Sequence, residues 1–128
     1  MKTRYTVALS ILAGVALGAA AVQALHAQAK PIAYVVAEID VTNPEPYEKQ
    51  YVPIAAKAVT DGGGKYLVRG GETAAIYGEP PKPRIAVMAF ESMKKARAAF
   101  NSSAYKQAKK VGDKYANFRI YAVEGVSP

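Results

Sequence analysis

The sequence predicts an α+β domain with the element order β-α-β-β-α-β, and three observations predict it. Four short segments alternate apolar and polar residues or are continuously apolar, as strands do. Two longer segments place apolar residues three and four apart, the period of a helix. Clusters of glycine, proline, asparagine and serine separate the six segments.

The first strand is expected from Ala33 to Val41. Ala33, Val35, Ala37, Ile39 and Val41 share one face, with Tyr34, Val36, Glu38 and Asp40 on the other. Thr42-Asn43-Pro44-Glu45 reads as a helix start: Thr42 or Asn43 caps, Glu45 completes a T-x-x-E box, and proline is tolerated in the first turn. Tyr47, Tyr51, Ile54 and Ala58 then fall on one helical face, and Pro53 is expected to kink the helix. Asp61-Gly62-Gly63-Gly64 ends it with a left-handed glycine cap. Lys65 to Gly70 is the second strand, with Gly70-Gly71 a turn or bulge and Thr73 to Tyr77 a short extension. Gly78 to Pro83 is too rich in proline for regular structure. Arg84 to Phe90 is the third strand. Ser92 caps a second helix with Met93, Ala96 and Phe100 on its apolar stripe. Asn101-Ser102-Ser103 breaks and re-caps that helix, which continues the stripe through Ala104, Ala108, Val111 and Tyr115. Asn117 to Gly125 closes the domain as a fourth strand.

This order is the split unit of ferredoxin-like folds, in which two helices cover one face of a four-stranded antiparallel sheet. The third strand is apolar on both sides: Ile85, Val87 and Ala89 on one, Ala86, Met88 and Phe90 on the other. The fourth opposes Phe118, Ile120 and Ala122 to Tyr121 and Val123. A sheet with one wet face alternates apolar with polar. Doubly apolar strands need a second cover, and the chain has no spare element to supply it. A homodimer packed sheet to sheet is therefore expected.

Lys2 and Arg4, an apolar run from Val7 to Val22, and Ala27-Gln28-Ala29 follow the order of a secretory signal. The expected division is residues 1–29 as signal peptide and 30–128 as one domain, with the exported protein periplasmic or secreted. An uncleaved anchor is the alternative, although the run is short for a spanning helix. Of the formal charge of +7, Lys2 and Arg4 supply two, leaving the mature domain an excess of five. In an exported protein such charge serves solubility rather than nucleic-acid binding. No nucleic-acid partner is expected, and the membrane enters only through the signal peptide. The chain has no cysteine, and its single histidine, His26, lies in the leader. The mature domain therefore lacks Cys and His ligands for zinc, copper or haem, and Ser-His or Cys-His nucleophile pairs. No metal and no cofactor is expected.

Several segments together resemble one family. They are Ala33-Tyr34-Val35-Val36, Asn43-Pro44-Glu45-Pro46-Tyr47, Gly63-Gly64-Lys65-Tyr66-Leu67-Val68-Arg69-Gly70-Gly71, Phe90-Glu91-Ser92 with Ala96, Asn101-Ser102-Ser103-Ala104-Tyr105, and Val123-Glu124-Gly125-Val126. From about Ala33 to Val126 the chain is similar to the DUF1330 family. The resemblance implies a dimeric α+β barrel, ferredoxin-like in each subunit and closed between two sheets. It implies no activity, because the family has none established.

In such a dimer the sheet face away from the helices lines a cavity, and the candidate pocket residues are Tyr34, Glu38, Arg69 and Tyr105. Alternation puts Lys65, Leu67 and Arg69 on one face of the second strand, and Tyr66 and Val68 on the other. Glu38 and Arg69 are then opposite charges on neighbouring strands. They form either a polar patch that orients a small ligand or a structural ion pair. Tyr105 either packs in the core or points its hydroxyl into the pocket. The basic residues Lys94, Lys95, Lys106, Lys109, Lys110 and Lys114 read as a solvated helix face, with docking to an anionic membrane as the alternative. The leading functional reading is an uncharacterised exported protein that binds a small molecule. The other is a cofactor-independent isomerase or monooxygenase acting on a small apolar or aromatic substrate, with Tyr34, Glu38 and Arg69 at work.

Overall fold

Each expected strand forms, and the sheet they build has the order β2-β3-β1-β4 with every neighbouring pair antiparallel. A computed structural model describes residues 30–127, so the expected signal peptide, residues 1–29, lies outside the described residues. Strand β1 spans Ala33–Val41, β2 Lys65–Arg69, β3 Arg84–Phe90 and β4 Ala116–Glu124. A helical run, α1, joins β1 to β2. It consists of an α-helical turn Pro44–Pro46, a π turn Tyr47–Tyr51 and an α-helix Val52–Asp61. Helices α2 (Met93–Asn101) and α3 (Ser103–Gly112) join β3 to β4. Among the described residues no helix is long and apolar enough to cross a membrane.

The helices cover one face of the sheet. Val35, Ala37, Ile39, Met88 and Phe90 are buried there against Tyr51, Ala55, Ala58, Val59, Ala96 and Ala108. Register confirms the shared face, since Val35 pairs with Met88 and Ala122, and Ala37 with Ala86 and Ile120. The opposite face carries Val36, Ile85, Val87 and Ala89, half-buried by one another, and the exposed Val68, Tyr121 and Val123. No element among the described residues covers it.

Four local departures from the sequence reading have physical causes. First, Asn43 caps α1 without a side-chain hydrogen bond, and no capping box forms. The third helical position is Pro46, which has no N–H to offer the cap. Glu45 pairs instead with Lys49 at 2.8 Å. Second, the π turn adds a residue to one turn just before Pro53, and the Val52 N–H donates to the Tyr47 carbonyl. The buried face therefore runs Tyr47, Tyr51, Ala55, Ala58 and Val59, and Ile54 is turned out to solvent. Third, α3 buries Tyr105, Ala108 and Gly112, leaving Ala104 exposed. The Ser102 cap accepts the Tyr105 N–H and sets this phase. Fourth, β2 ends at Arg69, and Thr73 to Tyr77 form no strand; Ile76 and Tyr77 stand exposed in the loop.

The expected glycine cap of α1 is a Schellman turn. Gly63, at φ +94°, donates to Thr60 O, and Gly64 donates to Val59 O. The basic helix residues Lys94, Lys95, Lys106, Lys110 and Lys114 are exposed, as a solvated face requires. Lys95 pairs with Glu91, and Lys109 with Asp113.

Candidate functional site

A cavity of about 340 Å³ lies between the sheet and α1. It reaches the surface where β2 ends and β3 begins, beside the exposed Arg69 and the half-buried Gly70 and Arg84. Its apolar wall is Ala37, Ile39, Ala55, Val59, Met88 and Phe100. Four tyrosines line it as well: Tyr47 and Tyr51 from the π turn, Tyr66 from β2, and Tyr105 from α3. The volume falls at the low end of ordinary small-molecule pockets.

Two of these rings lie in the π turn. Tyr47 and Tyr51 stack in a tilted pair with centroids 5.2 Å apart, and both are buried. Tyr51 packs on Phe118 at 5.1 Å. It can do so because Gly112 leaves room: a Cβ there would come within 2.7 Å of the Tyr51 ring. Tyr105 packs edge-on against Phe100 at 4.5 Å and places its hydroxyl 3.1 Å from that of Tyr51.

Burial holds all four phenols neutral. It pushes Tyr51 far above the ordinary tyrosine value, with the neighbouring Tyr105 adding to the shift. It raises Tyr105 to about 12, although the hydrogen bond with Tyr51 works the other way. Burial also raises Tyr47 against the pull of Arg84, and Tyr66 against that of Arg69. For Arg84, burial disfavours the charge, but the Glu48 carboxylate and Tyr47 together outweigh it and the value is raised. The Arg84–Glu48 ion pair closes at 2.5 Å, with the guanidinium 5.2 Å from the Tyr47 ring centre. Arg69 lies over the Tyr66 ring at 4.6 Å.

The profile of one family, described as a domain of unknown function, matches residues 32–126. The chain belongs to the DUF1330 family. No curated protein matches it by sequence. Among solved structures, this DUF1330 chain is similar to a protein of unknown function from Rhodopseudomonas palustris, at TM-score 0.61 and 13% identity over 77% of this chain and 85% of that one. It is also similar to SnoaB, a cofactor-independent oxygenase from Streptomyces nogalater, at TM-score 0.52 and 10% identity over 77% and 96% of the two chains. A Caulobacter crescentus protein inferred to be an antibiotic biosynthesis monooxygenase aligns at TM-score 0.53 and 19% identity over 81% and 98%. At these identities the likeness establishes a ferredoxin-like fold.

The fold divides the four residues read from the sequence between the two faces of the DUF1330 sheet. Arg69 and Tyr105 line the cavity. Tyr34 and Glu38 lie on the opposite face, where Tyr34 sits between Ala89 and Val123 and packs over Gly125. Glu38 pairs with Arg119, directly across β4, at 3.4 Å, and not with Arg69. Two features cause this: β3 lies between β1 and β2, so these strands are not the neighbours the sequence reading took them for, and β2 carries a bulge. Tyr66 pairs with Met88 and Val68 with Val87, so Leu67 is the extra residue. Past it the alternation reverses, and Arg69 joins Tyr66 on the helix side. The strand alternation alone places Lys65, Leu67 and Arg69 together, and the bulge corrects that placement. The Tyr105 ring packs in the core against Phe100 and borders this helix-side cavity, not the sheet face away from the helices where the sequence reading placed the pocket.

Tyr47, Glu48, Tyr51, Tyr66 and Arg84 are cavity residues absent from the sequence-based set. Arg84 carries a visible signal, because it alternates with Ala86 and Met88 on the helix face of β3. Tyr47 and Tyr51 are legible as a buried stripe, but nothing in their spacing distinguishes a filled core from a hollow one.

Proposed function

We propose that this DUF1330 protein is exported, is cleaved to a domain spanning residues 30–128, and acts as a homodimeric α+β barrel that binds one small, mainly apolar molecule in each cavity. The cavity carries this reading: an apolar chamber with neutral phenol donors inside and two guanidinium groups at its mouth. Convergence of a few polar groups on an apolar hollow is the usual form of a ligand site. Binding ranks above turnover because no group in the cavity is poised for proton transfer near neutral pH. Its one carboxylate, Glu48, is engaged by Arg84, and its phenols are shifted upward. The uncovered apolar face of the sheet supports the dimer. Lys2, Arg4, the apolar run and Ala27-Gln28-Ala29 support export to the periplasm or beyond.

Native mass spectrometry on protein from the exported fraction tests this. The expected species is a dimer beginning near Lys30 that carries an extra small mass. A monomer that takes up no apolar compound at millimolar concentration would refute it.

One observation favours a second reading, a cofactor-independent enzyme of isomerase or monooxygenase type on a small apolar or aromatic substrate. The hydrogen-bonded Tyr51–Tyr105 pair faces the chamber, and the fold is shared with SnoaB, which is an oxygenase of that kind. Oxygen uptake or isomerisation that falls in both Tyr51→Phe and Tyr105→Phe would establish it. Turnover untouched by either change would exclude it at this site.

A further inference from the structure

We propose that the cavity selects a small aromatic carboxylate bearing a second oxygen at its far end, a ligand class that rests on the binding reading above. Three features of the chamber lead there.

The first is uncompensated charge at the mouth. Glu48 neutralises Arg84. Arg69 forms no ion pair among the described residues, and lies over the Tyr66 ring instead of against an acceptor. The mouth therefore holds two guanidinium groups against one carboxylate, and one set of N–H donors is unspent. An anion is attracted there and an ammonium ion is repelled. Because Arg69 is exposed, the attraction is screened and modest. A carboxylate is the anion whose geometry a guanidinium edge matches with paired hydrogen bonds.

The second is an unspent donor in the interior. Tyr51 and Tyr105 share one hydrogen bond, so one of the two hydroxyl protons is engaged and the other is not. Burial keeps both groups protonated, so the second proton remains available to an acceptor oxygen of a guest. A purely hydrocarbon guest would leave that proton buried without a partner, which is unfavourable.

The third is size. A dry cavity of about 150 Å³ holds one benzene ring, and this one measures about 340 Å³. One or two fused rings with substituents fit; a lipid chain or a larger polycycle does not. Aromatic walls from Tyr47, Tyr66 and Phe100 suit a flat guest.

The experiment is a binding series by fluorescence titration on the purified full-length protein with 6-hydroxy-2-naphthoate, its methyl ester and 2-naphthoate. The expected order is hydroxynaphthoate tightest, with the ester weaker by about tenfold, one decade in the dissociation constant. Loss of the distal hydroxyl in 2-naphthoate is expected to weaken binding severalfold. In Arg69→Gln the preference for acid over ester vanishes while ester binding stays within about twofold, and Arg69→Lys keeps part of it. Equal binding of acid and ester, or an unchanged preference in Arg69→Gln, overturns the charge selectivity and leaves the cavity reading standing. Failure of all three compounds to bind overturns both.

Discussion

At the scale of single residues, the Tyr51–Tyr105 hydroxyl pair ties α1 to α3 and also furnishes the interior of the cavity. Tyr105→Phe leaves the Tyr51 hydroxyl buried without its partner. The expected loss is about 1–2 kcal/mol of stability, read by urea titration. The raised phenols also predict alkaline sensitivity. In the folded chain Tyr105 holds its proton to about pH 12, whereas an unfolded tyrosine ionises near pH 10. Above about pH 10 the unfolded state binds fewer protons than the folded state, so stability falls as pH rises. The contribution is complete below about 10 and is lost through about 12. The slope of stability against pH in that window is expected to flatten in Tyr51→Phe and in Tyr105→Phe; an unchanged slope in both would contradict the burial argument. Gly112→Ala drives a methyl group into the Tyr51 and Phe118 rings, and is expected to cost about 1–3 kcal/mol, as overpacked cores do.

At the scale of elements, two one-residue insertions decide what the site contains. The π turn in α1 rotates everything after Tyr51 by one position. The bulge at Leu67 in β2 exchanges the faces of all that follows it. Each is invisible to a periodicity count, because a regular 3.6 or 2.0 repeat extrapolates through it. The first is directly testable. A regular helix buries Ile54; the π turn exposes it and buries Ala55 in the cavity wall. Ile54→Asp is therefore expected to change stability by less than about 0.5 kcal/mol, as surface substitutions do. Ala55→Asp places a carboxylate in an apolar wall and is expected to cost more than about 2 kcal/mol. Equal costs in thermal or urea unfolding would contradict the shifted phase.

At the scale of the molecule, the sheet has a helix-covered face with the cavity beneath it and an apolar face that no element among the described residues covers. The proposed dimer places the second face against its copy. Val87 lies at its centre, opposite Val36 and beside Val68. Val87→Lys would set an unpaired charge in the interface, and is expected to yield a monomer in size-exclusion chromatography with light scattering. A dimer that survives this change would remove the sheet-to-sheet arrangement. Binding of the naphthoate probe is the companion readout, since the cavity is formed within one chain.

The order of elements along the chain, the helix positions and the ferredoxin-like class were legible in the sequence because each rests on local patterning. Alternation marked β1 and a continuous apolar run marked β3, both to the residue; Ser92 read as a cap, Asn101-Ser102-Ser103 as a break and cap, and one of the glycines at 62–64 as a left-handed end. The doubly apolar third strand placed apolar residues on both faces of the sheet, as the structure has them. What only the tertiary structure decided was which residues meet. Glu38 and Arg69 read as partners on neighbouring strands, but β3 lies between those strands, the bulge sends Arg69 to the helix side, and Glu38 pairs with Arg119. Tyr47, Tyr51, Tyr66, Arg84 and Tyr105 come from four separate elements, and no spacing in the chain relates them. A cavity is a shortfall in packing among distant side chains, summed over the whole core. Local periodicity records which residues turn inward, and carries no information on whether the space between them is filled.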